Sequence, residues 1–164
     1  MEIKSQIEYN GKIYTSHYVE KDQMFNLPDK VRTDGAHAIC FYGDKIIVVY
    51  NDKKDHWTYP GGGVEKGETF EQATVREVKE ESNMKVLHHE FIGYQDLTDE
   101  TGKTYRQSHS FCIVEPYGDF ESDPDGDILE IKLIDPKDYK EYIKWGDIGD
   151  HLIERAIEMK NMIK

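Results

Sequence analysis

Short apolar runs broken by turn pairs mark out most of the chain. Residues 6–20 read as two short strands around Asn10-Gly11, a pair suited to the positive backbone angles of a tight hairpin. Residues 36–42 and 45–50, rich in Ile and Val and separated by Gly43-Asp44, predict a second hairpin. The polar residues 51–55 lead through His56-Trp57-Thr58-Tyr59 into Pro60-Gly61-Gly62-Gly63, which predicts a sharp turn too flexible for regular structure. Thr69 and Gln72 stand at capping-box spacing, so a helix is predicted over residues 70–82. Extended runs at 86–97 and 103–114 flank a turn-rich segment, and 128–134 reads as one more strand. Toward the C-terminus Ile148, Leu152, Ala156, Met159 and Ile163 recur every three or four residues, predicting a helix over about 148–163 with one buried stripe. There is no internal repeat, and the acidic stretch GDFESDPDGD at 118–127 reads as a surface loop. A single α/β domain over residues 1–164, with a mixed, largely antiparallel sheet, accounts for the whole pattern.

Composition narrows what such a domain binds. A formal net charge of -12 opposes nucleic-acid backbones and anionic membranes in the absence of a local basic cluster, so no duplex nucleic-acid partner is expected. No apolar stretch approaches the length that spans a bilayer and the N-terminal residues lack a signal core, so the expected location is cytoplasmic. Cys40 and Cys112 lie inside apolar runs without ligand or redox partners nearby in sequence, and read as buried free thiols. His56, His88, His89 and His109 lack metal-ligand spacing and receive no catalytic role; adjacent His88 and His89 should point to opposite faces of a strand.

The candidate chemistry lies in the first predicted helix. Glu77, Glu80 and Glu81 stand at i, i+3 and i+4, within an arc of about 100°. Like charges at those spacings cost roughly 0.2 to 0.5 kcal/mol per pair, which a bound cation would offset. Read alone, the helix is better explained as a solvated glutamate face relieved by Arg76 and Lys79. Three hard oxygen donors would select Mg²⁺, or Mn²⁺, over zinc. Just ahead of the helix, the amides of Gly61, Gly62 and Gly63 permit close approach by a phosphate oxygen. Trp57 and Tyr59 could stack on a base, although core packing is the commoner use of aromatic residues in such a place.

Taken together, the stretch GGVEKGETFEQATVREVKEESNM over residues 62–84 closely resembles the signature box of the Nudix hydrolase family. The pattern falls on Gly62, Glu68, Arg76-Glu77, Val78, Glu80-Glu81, Asn83 and Met84. Its one departure is Asn83 in the usual glycine position, just past the helix, where a left-handed conformation is expected and asparagine tolerates it.

The resemblance implies a Nudix-type α/β/α sandwich and Mg²⁺-dependent hydrolysis of a phosphoanhydride bond in a nucleoside di- or triphosphate derivative: a nucleoside triphosphate, an oxidised one or a nucleotide sugar. It implies that Glu77, Glu80 and Glu81 bind the metal, that Glu77 activates water, and that Arg76 and Glu68 form an ion pair holding the glycine loop to the helix. Members of the family also take their base from other loops, and an acid before the last strand, here Asp127, is a further candidate ligand beside Glu130. Removal of pyrophosphate from RNA 5′ ends and nucleotide sensing without turnover are the alternatives. Relatives also pair through N-terminal strands, so a homodimer through the first hairpin is expected.

Overall fold

The computed structural model describes residues 1–9, 11–27, 32–120, 126 and 128–163. The N-terminal hairpin forms from β1 (Glu2–Tyr9) and β2 (Lys12–Glu20), in register from Glu2 opposite Val19 to Tyr9 opposite Lys12. It begins four residues earlier than the apolar pattern suggests, because the polar residues at its start still pair along the sheet edge. Asn10 lies outside the described residues, while Gly11 takes the positive φ of 76°.

The strand β3 (Arg32–Tyr42) organises everything that follows. Its turn to β4 (Lys45–Asn51) is the predicted Gly43-Asp44 turn, with Gly43 at φ 60°, but the two strands pair only at the mouth, Phe41 with Ile46 and Tyr42 with Lys45. Beyond that point β4 peels away. It pairs instead with β5 (His56–Thr58), while the start of β3 takes a different neighbour, β6 (Gly61–Gly63). The glycine segment is therefore a strand, not the irregular turn expected from its composition. Gly61, Gly62 and Gly63 face His37, Ala36 and Gly35, and the departure of β4 supplies the vacant edge they fill.

The helix α1 (Phe70–Ser82) follows, then the long strands β7 (Met84–Thr98) and β8 (Thr104–Pro116), then β9 (Ile128–Ile134), which pairs with β4. The sheet order is β1-β2-β7-β8-β3-β4-β5, with β6 on β3 and β9 on β4. Among the described residues β3 and β8 run parallel and the other pairs antiparallel, so the sheet is mixed and largely antiparallel as predicted. The tip of the first hairpin reaches the far end of this order, where Tyr9 stands edge-on to His56 with ring centroids 6.1 Å apart.

Alternation along β3 feeds two cores, one on each face of the sheet. Ala38 and Cys40 on β3 meet Ile47 and Val49 on β4, Cys112 and Val114 on β8, and Val78 of α1. Ile39 and Phe41 point the other way, to Ile46, Val48, Phe111 and the helix α2 (Gly146–Met162). The two helices thus cover opposite faces, a consequence of the two-residue period of a strand. Ile148, Leu152, Ala156 and Met159 form the buried stripe of α2 as predicted. Ile163 does not join it: the helix ends at Met162 and Ile163 is exposed. No described helix is long and apolar enough to cross a membrane.

Candidate active site

Local sequence fixes α1 at both ends. The Thr69 hydroxyl accepts from the Gln72 amide at 3.1 Å and the Gln72 side chain accepts from the Thr69 amide at 2.9 Å, so the predicted capping box is closed. At the other end Asn83 adopts φ 54°, ψ 38°, the left-handed conformation foreseen for it. Its amide donates to Lys79 and its side-chain nitrogen donates to the Asp119 carbonyl at 3.0 Å, a second anchor that glycine would lack. The axial position and rotation of the three glutamates are therefore set by bonds outside the site.

Glu77 and Glu81 are each only 7% exposed, against what a purely solvated glutamate face would give. The Glu81 carboxylate accepts from the Gly61 amide at 2.8 Å. The Glu77 carboxylate lies against Gly62 so closely that a Cβ there would meet its oxygens at 2.6 and 2.9 Å. At Gly61 an added Cβ would meet the Ala36 carbonyl at 2.3 Å and the His37 ring at 2.5 Å. Two adjacent glycines are thus required by close approach, one to a carboxylate and one to the neighbouring strand.

Arg76 gathers the remaining groups. Its Nε and Nη2 donate to the two Glu68 oxygens at 2.7 and 2.9 Å, Nη1 donates to Glu77 at 2.9 Å and to Glu80 at 3.2 Å, and Nη2 also donates to the Gly63 carbonyl at 2.8 Å. Glu68 in turn accepts from the Glu65 amide at 2.9 Å. The guanidinium therefore ties the loop before the helix, the glycine strand and two of the three carboxylates into one unit. Its hydrogen bonds hold the Glu68 carboxyl down to about 2, and the carboxylates push the Arg76 guanidinium above its already high value.

The structure brings Gly61, Gly62, Gly63, Glu68, Arg76, Glu77, Glu80 and Glu81 together; Asp127 lies outside the described residues. Glu130 sits elsewhere, opposite Tyr50 on β4. Among the described residues no three His, Cys, Asp or Glu side chains stand converged on one point where a metal ion would be held. The donor chemistry nevertheless suits a hard divalent cation: three carboxylates on one helix face, with the Arg76 fork spanning Glu77 and Glu80 and lending its positive charge.

Several polar arrangements were not legible in the chain. Asp96 and Arg106, each 4% exposed, form a two-pronged pair at 2.8 and 2.9 Å across β7 and β8. His109 donates to Gln95 at 2.8 Å, and Gln95 donates to Ser16 at 2.8 Å. Burial lowers the His109 imidazole to about 3 and that of its neighbour His37 to about 4. Among the described residues neither belongs to a group of three side chains that could hold a metal ion. His88 and His89 do take different environments, His88 exposed beside Glu90 and His89 largely buried against Ser110, with a β-bulge beside them. Tyr59 is core, whereas Trp57 is only half-buried.

Comparison with known proteins bears on this arrangement. A family model described as NUDIX domain matches residues 31–155. Nucleoside triphosphatase NudI of Escherichia coli O139:H28 (strain E24377A / ETEC) is 35% identical over 75 residues, covering 46% of this chain and 50% of that protein. NudI of Shigella flexneri matches to the same extent. The chain spans about half the length of the curated relatives it matches. Among solved structures, a mutant of the Bacillus subtilis pyrophosphohydrolase BsRppH has a TM-score of 0.72 at 19% identity, over 100% of this chain and 99% of that one. A NUDIX hydrolase from Nitrosomonas europaea follows at 0.63 and 20%, over 81% and 96%. At such identities the likeness is one of fold.

Proposed function

The chain belongs to the Nudix family, and from that premise we propose that it hydrolyses a phosphoanhydride bond in a nucleoside di- or triphosphate derivative. The observation that carries this reading is the single unit formed by Arg76, Glu68, Glu77 and the glycine strand, with Glu80 and Glu81 beside it.

Glu77, Glu80 and Glu81 would hold Mg²⁺, or Mn²⁺ in its place. When bound, such a cation neutralises phosphate charge and lowers the pKa of a coordinated water. The protein's own contribution is positional. Arg76 fixes the Glu77 and Glu80 carboxylates while Glu68 fixes Arg76, so the charged groups are in place before substrate arrives. Gly61, Gly62 and Gly63 keep side chains away from the phosphate path. Glu77, held by Arg76 and sheltered against Gly62, is the group assigned to take the proton from the attacking water. A fourth ligand is assigned to Asp127, and a homodimer to pairing through the β1–β2 hairpin, which sedimentation as a monomer at working concentration would refute.

The test is a panel of nucleoside triphosphates, oxidised nucleotides, nucleotide sugars, dinucleoside polyphosphates and triphosphorylated RNA, with Mg²⁺ and with chelator. Chelator-sensitive cleavage of one class is expected. Binding across the panel without cleavage would replace this reading by a sensing module.

A further inference from the structure

Trp57 and Tyr59 flank one residue of the strand leading into the glycines, yet the structure gives them different fates. Tyr59 is 1% exposed in the core beneath Trp145, with ring centroids 5.3 Å apart. Trp57 stays half-buried on the face where β5, β4 and β9 meet. Tyr50 stands opposite it in register, with centroids 5.5 Å apart, and Tyr142 meets it edge-on at 5.4 Å and 85°.

Lys132 of β9 completes the group. Its ammonium lies 5.0 Å from the Trp57 ring centre and 5.6 Å from that of Tyr142. In a chain of net charge -12 this ammonium makes no ion pair among the described residues; rings, not carboxylates, hold it. A cation parked on a ring face is positioned to exchange that ring for a stronger anion.

We infer that Trp57, with Tyr142 beside it and Lys132 above it, is the seat of the substrate's nucleobase and its adjoining phosphate. The inference rests on the nucleotide reading proposed above. A base stacks on an indole because both present flat polarisable faces, and the ammonium it displaces is left next to the phosphate. Trp57 lies only four residues before Gly61, so the seat and the carboxylates belong to one continuous stretch of chain. Glu130, opposite Tyr50, makes the local field mixed, so stacking carries more of the affinity than charge. The same chemistry serves a free nucleotide and the first nucleotide of an RNA.

The W145F variant leaves Trp57 as the sole tryptophan, and its fluorescence is followed as adenosine or guanosine 5′-monophosphate, a 5′-phosphorylated diribonucleotide or ribose 5-phosphate is added. The indole N–H signal of Trp57 in the unaltered chain gives a second reading that needs no variant. Saturable change with the base-bearing ligands and none with ribose 5-phosphate is expected; tighter binding of the dinucleotide would identify RNA ends as the source, tighter binding of the monophosphates free nucleotides. Calorimetry on W57A should show affinity for both reduced about tenfold or more, W57F should stay within about threefold, and K132A should lose selectivity for nucleotide over nucleoside. If W57A lowers thermal stability but binds the nucleotides as the parent does, or if ribose 5-phosphate gives the same response, the rings are packing alone and the inference is overturned. None of these measurements requires turnover, so a failed hydrolysis panel with intact binding would remove the proposed reaction and leave the seat.

Discussion

Replacing Gly62 by alanine tests the site through one methyl group. Gly62 does not use the left-handed region, so alanine meets no backbone objection there; the objection is the Glu77 carboxylate, 2.6 Å from the new Cβ. Restoring an ordinary contact of 3.4 Å requires the carboxylate or the glycine strand to move by roughly 0.8 Å. The carboxylate is held by Arg76 at 2.9 Å and is 7% exposed, so it has little room to yield without breaking that bond. Misplacement of a reacting group by about 1 Å can cost on the order of 100-fold in rate, and overpacking typically costs about 1 to 3 kcal/mol. For a chain of this size that range corresponds to about 2 to 10 °C in melting temperature. Gly35→Ala is the matched control: its Cβ would meet the Gly62 carbonyl at 3.5 Å and Gln107 at 3.7 Å, ordinary contacts both. Measured as kcat/KM and by thermal melting, Gly62→Ala should lose about 100-fold with a lowered melting temperature while Gly35→Ala stays close to the parent. A Gly62→Ala protein within a few-fold of parent activity and unchanged in melting would refute the account of Glu77 as a sterically positioned group.

Glu80→Gln should remove most turnover with little change in melting temperature, since Glu80 is the more exposed of the three, whereas Glu81→Ala should lose activity and also about 1 to 3 kcal/mol of stability by orphaning the Gly61 amide; denaturant melts separate the two. Folding keeps His37 and His109 neutral, lowering them from 6.5 to about 4 and 3, so their contribution is complete above pH 6.5 and is lost as pH falls toward those values. Glu68, lowered from 4.5 to about 2, is lost likewise between pH 4.5 and 2. Stability measured against pH should therefore decline in two stages, with His109→Gln flattening the upper and Glu68→Gln the lower; unchanged profiles would exclude these groups as the cause. Cys40 and Cys112, both fully buried, should react with a thiol reagent only at the rate of global unfolding, and rapid labelling in native buffer would contradict their placement in the core beneath α1.

What the chain disclosed in advance were features governed by local rules. The capping box, the left-handed Asn83, the Gly43 turn and the amphipathic stripe of α2 each depend on a few neighbouring residues, and each forms as read. The box glutamates were likewise legible because helical spacing puts them on one face. Where the reading failed, a distant partner decided the outcome. Three glycines have no strand preference of their own, and Gly61–Gly63 becomes a strand because β4 leaves the start of β3 unpaired. Ile163 continues the apolar period, but the helix stops before it. Burial of Glu77 and Glu81 depends on that same glycine strand, and the Asp96–Arg106 and His109–Gln95 pairs join residues that only the β7–β8 register brings face to face. The Trp57 and Tyr59 side chains differ in exposure although only Thr58 separates them, since Tyr59 lies against Trp145, a residue far along the sequence.

The parallel pairing of β3 with β8 has a kinetic corollary. Its partners, from Arg32 opposite Thr104 to Phe41 opposite Ile113, are separated by about 70 residues, and such a loop must close before the pair returns any stabilisation. The β1–β2 and β7–β8 hairpins and both helices can form locally and early, but β6 has its place only beside a β3 already fixed in the sheet. The glycine strand, and with it the seating of Glu77 and Glu81, is therefore expected to form after α1 and the two hairpins, an order that hydrogen exchange during refolding would check. A partly refolded molecule that had formed α1, with its carboxylates in helical order, would on that expectation still lack an assembled site.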